Sequence, residues 1–310
     1  MSSDQLNKES EQAAASTSAK WEASIKRNPH GDFKTVEASR PPFPAETSVH
    51  YVQTPLPSWK FGEGPNRAQP STASHTPISP YSEGRPAGFN YKLLISAITP
   101  RPIAFVSTRS ADGKTTNLSP FSYFSVINHD PPLFTIGFSS ALAAPKDTLK
   151  LLAETEECVI NIISEDFIEA ANSTSVNAPY GVSEWDVSGL TPAYDCQEVK
   201  AARVKEAVFS VECKLESLRE FDSRSNPGKK SGCLAILEGV NFWVRSDAIN
   251  EEGNIVDPAV LRPVSRLGGI TYGRTTELFE LPRPDFEKDV GGQTAIERLR
   301  AKKAEGEKLN

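Results

Sequence analysis

Thr99–Phe138, TPRPIAFVSTRSADGKTTNLSPFSYFSVINHDPPLFTIGF, decides the fold of this 310-residue chain. It reads as short strands joined by turns. Ile103–Thr108 is a strand, and Ala111-Asp112-Gly113-Lys114 carries the Asp-Gly signal of a hairpin-type turn. Leu133–Phe138 is a second strong strand, entered through Asp130-Pro131-Pro132. Between them, Asn117-Leu118-Ser119-Pro120-Phe121-Ser122 reads as a loop of small polar residues with one aromatic. Held on a rigid sheet, such a loop offers backbone N–H groups and hydroxyls to a planar polar ligand, with Phe121 as an apolar wall.

Upstream, Tyr91–Ile98 is a short helix ended by Pro100 and Pro102. Downstream, Pro145 suits the first turn of a helix whose apolar stripe is Leu149, Leu151 and Leu152, closing at the acidic run Glu154–Glu157. Cys158–Ile163 reads as a buried strand and Phe167–Asn172 as a short helix opened by Ser164. From Ala207 the pattern alternates: Phe209, Val211, Cys213 and Leu215 face one way, Ser210, Glu212, Lys214 and Glu216 the other. That is a half-buried antiparallel strand. Cys233–Val244 is of the same kind, with Gly239 marking a bulge or bend. Asp257–Leu261 is a helical turn and Ala295–Leu309 a charged tail, helical or frayed. Many short strands with few helices predict a mainly β fold, a closed or split barrel with helical insertions, and not a doubly wound sheet.

Composition sets the limits. Eleven of the 24 prolines precede Ala87, where apolar residues are sparse. Residues 1–20 read as disordered. From Trp21 to Pro86 the chain is Pro-rich yet carries Trp21, Phe33, Phe43, Tyr51, Trp59 and Phe61. Both a loose tail and an extended arm docked on the domain or on a partner subunit fit that pattern, and so many aromatics favour the arm. The expected organisation is an arm over 1–86, a domain over 87–275 and a charged tail over 276–310. A net charge of −6 and the lack of a Lys/Arg stripe argue against nucleic acid. Four widely spaced cysteines without a CxxC pair are expected as reduced thiols. No stretch resembles a secretion signal or a membrane span, so the expected location is cytoplasmic.

Chemistry is bounded first by what is missing. The chain has no GxGxxG after a strand, Walker A loop, HExxH or GxSxG. Of its four histidines, His30, His50 and His75 lie in the arm and only His129 in the domain. Histidine triads and multi-histidine metal sites are therefore not expected.

What is present forms an ordered set: Tyr91-Lys92-Leu93-Leu94, Pro100-Arg101-Pro102-Ile103-Ala104, Val106-Ser107-Thr108, Asn117 to Phe124, Asp130-Pro131-Pro132, Lys146-Asp147-Thr148 and Arg266-Leu267-Gly268-Gly269. Together they resemble the flavin reductase-like, FMN-binding split-barrel family, over about Tyr91–Tyr272. The resemblance implies a homodimeric, six-stranded Greek-key barrel holding FMN near the subunit interface. It places the flavin ring against Ser107, Thr108, Asn117, Leu118, Ser119, Phe121 and Ser122, with Gly269 allowing close backbone approach beside Arg266 and Tyr272. For any single hydroxyl, strand-end capping is an equal reading. It places the phosphate at Lys146 and Thr148, on a helix N-terminus that favours anions, with Ser139 or Ser140 helping. Asp147 is expected to cap that helix or hold a cation. Arg101 is either a structural partner or part of the site mouth. His129 departs from the family pattern, in which small polar residues precede Asp-Pro-Pro; it is a weak catalytic candidate and reads better as an exposed loop residue.

The reaction implied is reduction of FMN by NADH or NADPH, which needs little acid–base help because the cofactor carries the chemistry. A partner monooxygenase would use the product. One alternative is an FMN-dependent oxygenase or reductase acting on a small organic substrate, its pocket shaped by Tyr180, Trp185 and Tyr194 of the segment 172–197. Another is a flavin-binding carrier or sensor without turnover.

Overall fold

The computed structural model describes residues 28–45, 47–66 and 74–307. The expectations for residues 1–20 and for Trp21 lie outside these. Seven strands form the main sheet: β1 (Ala104–Arg109), β2 (Thr116–Phe121), β3 (Phe124–His129), β4 (Pro132–Phe138), β5 (Glu157–Ile162), β6 (Phe209–Asp222) and β7 (Lys230–Val244). Their order is β2-β1-β5-β6-β7-β4-β3, and every pairing is antiparallel. The two ends of the ladder are thus strands adjacent in sequence. They curl toward each other: the Phe121 ring meets Phe138 of β4 edge-on with centroids 4.9 Å apart, and the Gly137 N–H donates to the Tyr123 carbonyl at 2.8 Å.

Seven strands stand where six were expected. Asn117–Phe121, read from the sequence as a loop, belongs to a strand. Its polar composition hid it: β2 is a sheet edge, and its Leu118 N–H finds a partner outside the ladder in Glu184. The expected bulge at Gly239 is present, as the β6–β7 register slips between Gly239 and Asn241. An added Cβ at Gly239 would lie 2.9 Å from the Phe134 ring, so packing excludes a larger residue.

Strand alternation divides β1 between two cores. Ala104 and Val106 pack with Leu149 and Leu152, Ile136 and Leu237, while Phe105 packs with Leu118, Ile163 and Trp185 on the other side. β1 is therefore buried on both faces. On β6, Val211 and Cys213 enter the first core as the pattern predicted. The polar face is not solvated at its start, however: Ser210 and Glu212 are buried. The segment 197–204 covers them, held by the Asn161 side chain, which accepts from the Val204 N–H and the Ser210 hydroxyl and donates to the Phe105 carbonyl.

Helices occupy the connections: α1 (Ala87–Ala97), α2 (Asp147–Thr155), α3 (Ile168–Ser173) and α4 (Glu184–Ser188). α2 stops at Glu156, which takes a left-handed conformation (φ 57°) and turns the chain into β5. α4 had no clear signal in the sequence. The expected turn near Asp257 is present at Pro258–Leu261, with Asp257 accepting from the Ala259 N–H.

The chain separates into two compact units. The larger holds the described residues up to Thr47 together with Pro80–Thr275, and the smaller those within Ser48–Ser79 and Thr276–Asn310. In the larger unit, Phe43, Ala45 and Thr47 dock on the domain: Arg274 lies 4.3 Å over the Phe43 ring, and Arg262 donates to the carbonyls of Ala45 and Thr47. In the smaller, His50–Tyr51 pairs in parallel with Glu277–Leu278, Trp59 stacks edge-on with Phe61, and Gly292–Glu307 is helical. No helix among the described residues is long and apolar enough to cross a membrane. Cys158, Cys213 and Cys233 are buried, and all four cysteines are free.

Candidate functional site

Alternation along β1 and β2 sorts the expected site residues before any ligand is considered. Thr108 stands opposite Asn117, and Ser107 opposite Leu118. Adjacent strand residues point to opposite faces, so the two pairs part company. Ser107 donates its hydroxyl to the Ala202 carbonyl and is buried, and Leu118 is buried in the second core. Neither side chain presents a polar group to a ligand.

Thr108 and Asn117 share their face with the head of α2. The Thr148 hydroxyl donates to Asn117 Oδ1, and Asn117 Nδ2 donates to Glu184 at 2.9 Å. Ser140 joins from the loop before α2, its hydroxyl accepting from the Lys146 N–H at 3.3 Å. Ser119 lies further along the same face of β2, and Phe121 follows it to the contact with Phe138. Ser139 and Lys146 are exposed at this end of the sheet. The Thr108 hydroxyl is buried and has no hydrogen-bond partner.

The backbone of β2 offers less than a loop would. The Leu118 N–H donates to Glu184 at 3.3 Å, and Pro120 has no N–H. Glu184, which the sequence did not single out, thus closes the sheet edge. Burial pushes its carboxyl above the ordinary carboxylate range, against the hydrogen bonds from Leu118 and Asn117. Burial also raises Asp147, opposed by Lys150.

Ser122 and Gly269 belong to a second cluster, organised by Arg101. The buried Arg101 guanidinium donates to the carbonyls of Ile95 and Ile98 at the end of α1, to the Leu267 carbonyl, and at 3.5 Å to the Ser122 hydroxyl. Among the described residues it makes no ion pair; its role is to tie three chain segments together. Arg266 pairs backbone-to-backbone with Arg101, donates to the Gly269 carbonyl and lies 4.3 Å over the Tyr272 ring. Beside this cluster a cavity of roughly 530 Å³ opens against Tyr91, Gly269 and Tyr272.

Other expectations fare differently. His129 is exposed at the end of β3, opposite Pro132, away from both clusters. Trp185 is a core residue, whereas Tyr180 covers the Lys150 ammonium at 3.9 Å and Tyr194 lies near Arg109. Trp185 is thus buried, while both tyrosines are exposed. No group of three or more metal-ligating side chains is present among the described residues.

The residues fit a flavin in part. The unpartnered Thr108 hydroxyl is what the absence of a hydrogen-bonding group leaves behind. The first-turn amides of α2, with Ser140 and Lys146 nearby, suit a phosphate.

Comparison with known proteins sets this geometry in a family. Residues 96–261, more than half of the chain, match the flavin reductase like domain, and the chain belongs to that family. Its relatives include the uncharacterized protein YwrF of Bacillus subtilis, 35% identical over 194 residues, which are 63% of this chain and 93% of that one. Among solved structures, nitrilotriacetate monooxygenase component B from Bacillus cereus is 32% identical, covering 67% of this chain and all of that one, with a TM-score of 0.61. The 2-nitrobenzoate 2-nitroreductase NbaA of Pseudomonas fluorescens is 30% identical, covers 68% and 98%, and has a TM-score of 0.59.

Proposed function

We propose that this protein is an FMN-dependent oxidoreductase, most simply a flavin reductase drawing on NADH or NADPH. The observation that carries the reading is the convergence of Thr108, Asn117 and Thr148 at the head of α2, within a domain of the flavin reductase-like family. Bound flavin supplies the redox chemistry, accepting electrons as a pair and passing them on. The protein's part is to hold and orient it. Thr108 donates to the ring edge, with Phe121 as the apolar wall, and the α2 amides with Lys146 and Ser140 neutralise the phosphate. Asn117 and Thr148 act by fixing the strand and the helix to each other, since their polar atoms already engage one another and Glu184.

The resemblance to a monooxygenase component supports a second protein that consumes the reduced flavin. A homodimer is part of the same proposal, as is a cytoplasmic location, to which free thiols are suited. The second reading, retention of FMN for work on a small organic substrate, draws support from the cavity beside Gly269 and from likeness to a nitroreductase.

The test is the visible spectrum of the purified protein after adding FMN, followed by anaerobic NADH and then NADPH. Flavin absorbance that bleaches with either nucleotide supports the reductase reading and names the donor. Bound flavin that neither nucleotide bleaches moves the assignment to a carrier or a substrate-specific enzyme. Failure to bind FMN defeats the assignment.

A further inference from the structure

The cavity beside Gly269 is walled by three segments that lie apart in the sequence. One side is α1 with Tyr91, Lys92 and Ile95; another is the turn Gly268–Tyr272; the third is the segment carrying His30, Phe33 and Arg40. Of all the lining residues only Ser96 falls within residues 96–261, which the family model matches.

The other two walls are firmly built. The turn is closed by Thr271 N–H donating to the Gly268 carbonyl and by Leu267 N–H donating to the Thr271 carbonyl. Gly268 lies so near α1 that an added Cβ would stand 3.1 Å from Ser96 Cα. Gly269 takes φ +60°, in the left-handed region that favours glycine. Arg101 ties α1 to Leu267 behind them.

The chemistry of the lining has one sign. Its ionisable cationic groups are Arg40, Lys92 and His30, and among the described residues no carboxylate lines it, although the chain as a whole carries −6. Just behind Tyr272, Nη1 of Arg266 is buried without a partner. The remaining surface is aromatic and aliphatic: Phe33, Tyr91, Ile95, Ile270 and Tyr272. Basic groups at the rim and flat apolar walls select an organic anion with a ring system. A bare anion would leave the aromatic walls unused, and a neutral arene the cations.

We propose that this cavity binds an aromatic carboxylate of one or two rings, its carboxylate paired with Arg40 and Lys92 and its rings held among Phe33, Tyr91 and Tyr272. The N-terminal segment then acts as a specificity element added to the family domain. Binding stands apart from the flavin chemistry; only the assignment of the acid as a substrate rests on the proposed function.

Calorimetric titration of the full chain with 2-naphthoate, without flavin and again with FMN present, tests this. The control ligand is the neutral isostere 2-naphthamide. Naphthoate is expected to bind at least about tenfold more tightly than the amide, and Arg40→Glu or Lys92→Glu to remove that preference. Both side chains are exposed, so the melting temperature of either variant should stay at that of the parent. Equal binding of acid and amide overturns the proposal, as does an unchanged preference in both variants. A parallel fall in FMN affinity would also overturn it, because the cavity would then be part of the flavin site. Naphthoate binding by a protein that takes up no FMN would leave this proposal standing and defeat the flavin reading.

Discussion

Two buried glutamates show how one residue type is driven in opposite directions. Glu212 is 0% exposed yet accepts five hydrogen bonds, from the N–H groups of Gln197, Glu198 and Val199 and from Asn241 and Trp243. Burial pushes its pKa up, but the donors outweigh burial and hold it at about 2 against an ordinary 4.5. The charged form is thus favoured in the fold. Its stabilisation is complete above the ordinary carboxylate range and fades as pH falls from about 4.5 toward 2, worth on the order of 3 kcal/mol. Glu212→Gln places an amide donor among donors, so denaturant titration at pH 7 should show a loss of about 2–3 kcal/mol that shrinks near pH 3. Glu184 runs the other way. Burial raises its pKa, so the fold favours the protonated form and stability declines as pH rises through the raised value. Glu184→Gln keeps an oxygen for Asn117 and Leu118 and removes the buried charge. Its melting temperature, compared with the parent, should gain more at pH 8 than at pH 4; an equal or smaller gain at pH 8 would show that Glu184 is not penalised by its charge.

At the level of elements, the long strand β7 depends on a glycine that has no turn to serve. Gly232 lies where an added Cβ would stand 2.7 Å from the Phe138 carbonyl oxygen, next to the pairing of Cys233 with Phe138. The obstacle is paired backbone, which cannot rotate aside as a side chain would. Gly232→Ala should therefore cost about 1–3 kcal/mol in denaturant titration, whereas Gly228→Ala, with nothing within 4 Å but a positive φ of 81°, should cost no more than about 1–2 kcal/mol. The strands themselves were legible because apolar alternation is strong in β6 and β7, and because Ile103–Val106, leading into β1, is a continuous apolar run. β2 was not, since Thr116, Asn117, Ser119 and Pro120 carry no apolar period; an edge strand can take its partners from outside the sheet, here Glu184 of α4. The same limit applied to the site. The resemblance put Thr108 and Asn117 at a flavin ring and Thr148 at its phosphate; in the structure Thr108 stands opposite Asn117, which accepts from the Thr148 hydroxyl. The resemblance could not separate Ser107 and Leu118 from them, because the face each residue takes depends on register. Glu184 was out of reach altogether, its place being set by a contact 67 residues away in sequence from Asn117.

At the scale of the whole molecule, the unpaired edge of β3 bears on assembly. β3 ends the ladder, so one side of its backbone has no strand neighbour among the described residues. Val126 and Ile127 are 61% and 50% exposed on it, and Tyr123 is exposed just before. Single exposed apolar residues are ordinary, but consecutive ones on a sheet edge invite pairing unless another surface covers them. No charged side chain interrupts the strand from Phe124 to Asn128. Leu93, Leu94 and Ile98 are likewise exposed along α1. A second copy of the chain is the simplest cover, in keeping with the dimer proposed above. Light scattering on the eluting protein should give twice the chain mass, and Val126→Lys combined with Ile127→Lys should shift it to one chain mass with secondary structure retained. Because the substitutions lie on exposed positions, they should leave the fold of an isolated chain intact by circular dichroism. A dimer that persists in the double variant would move the contact away from β3, and a parent protein of single-chain mass would refute the dimer itself.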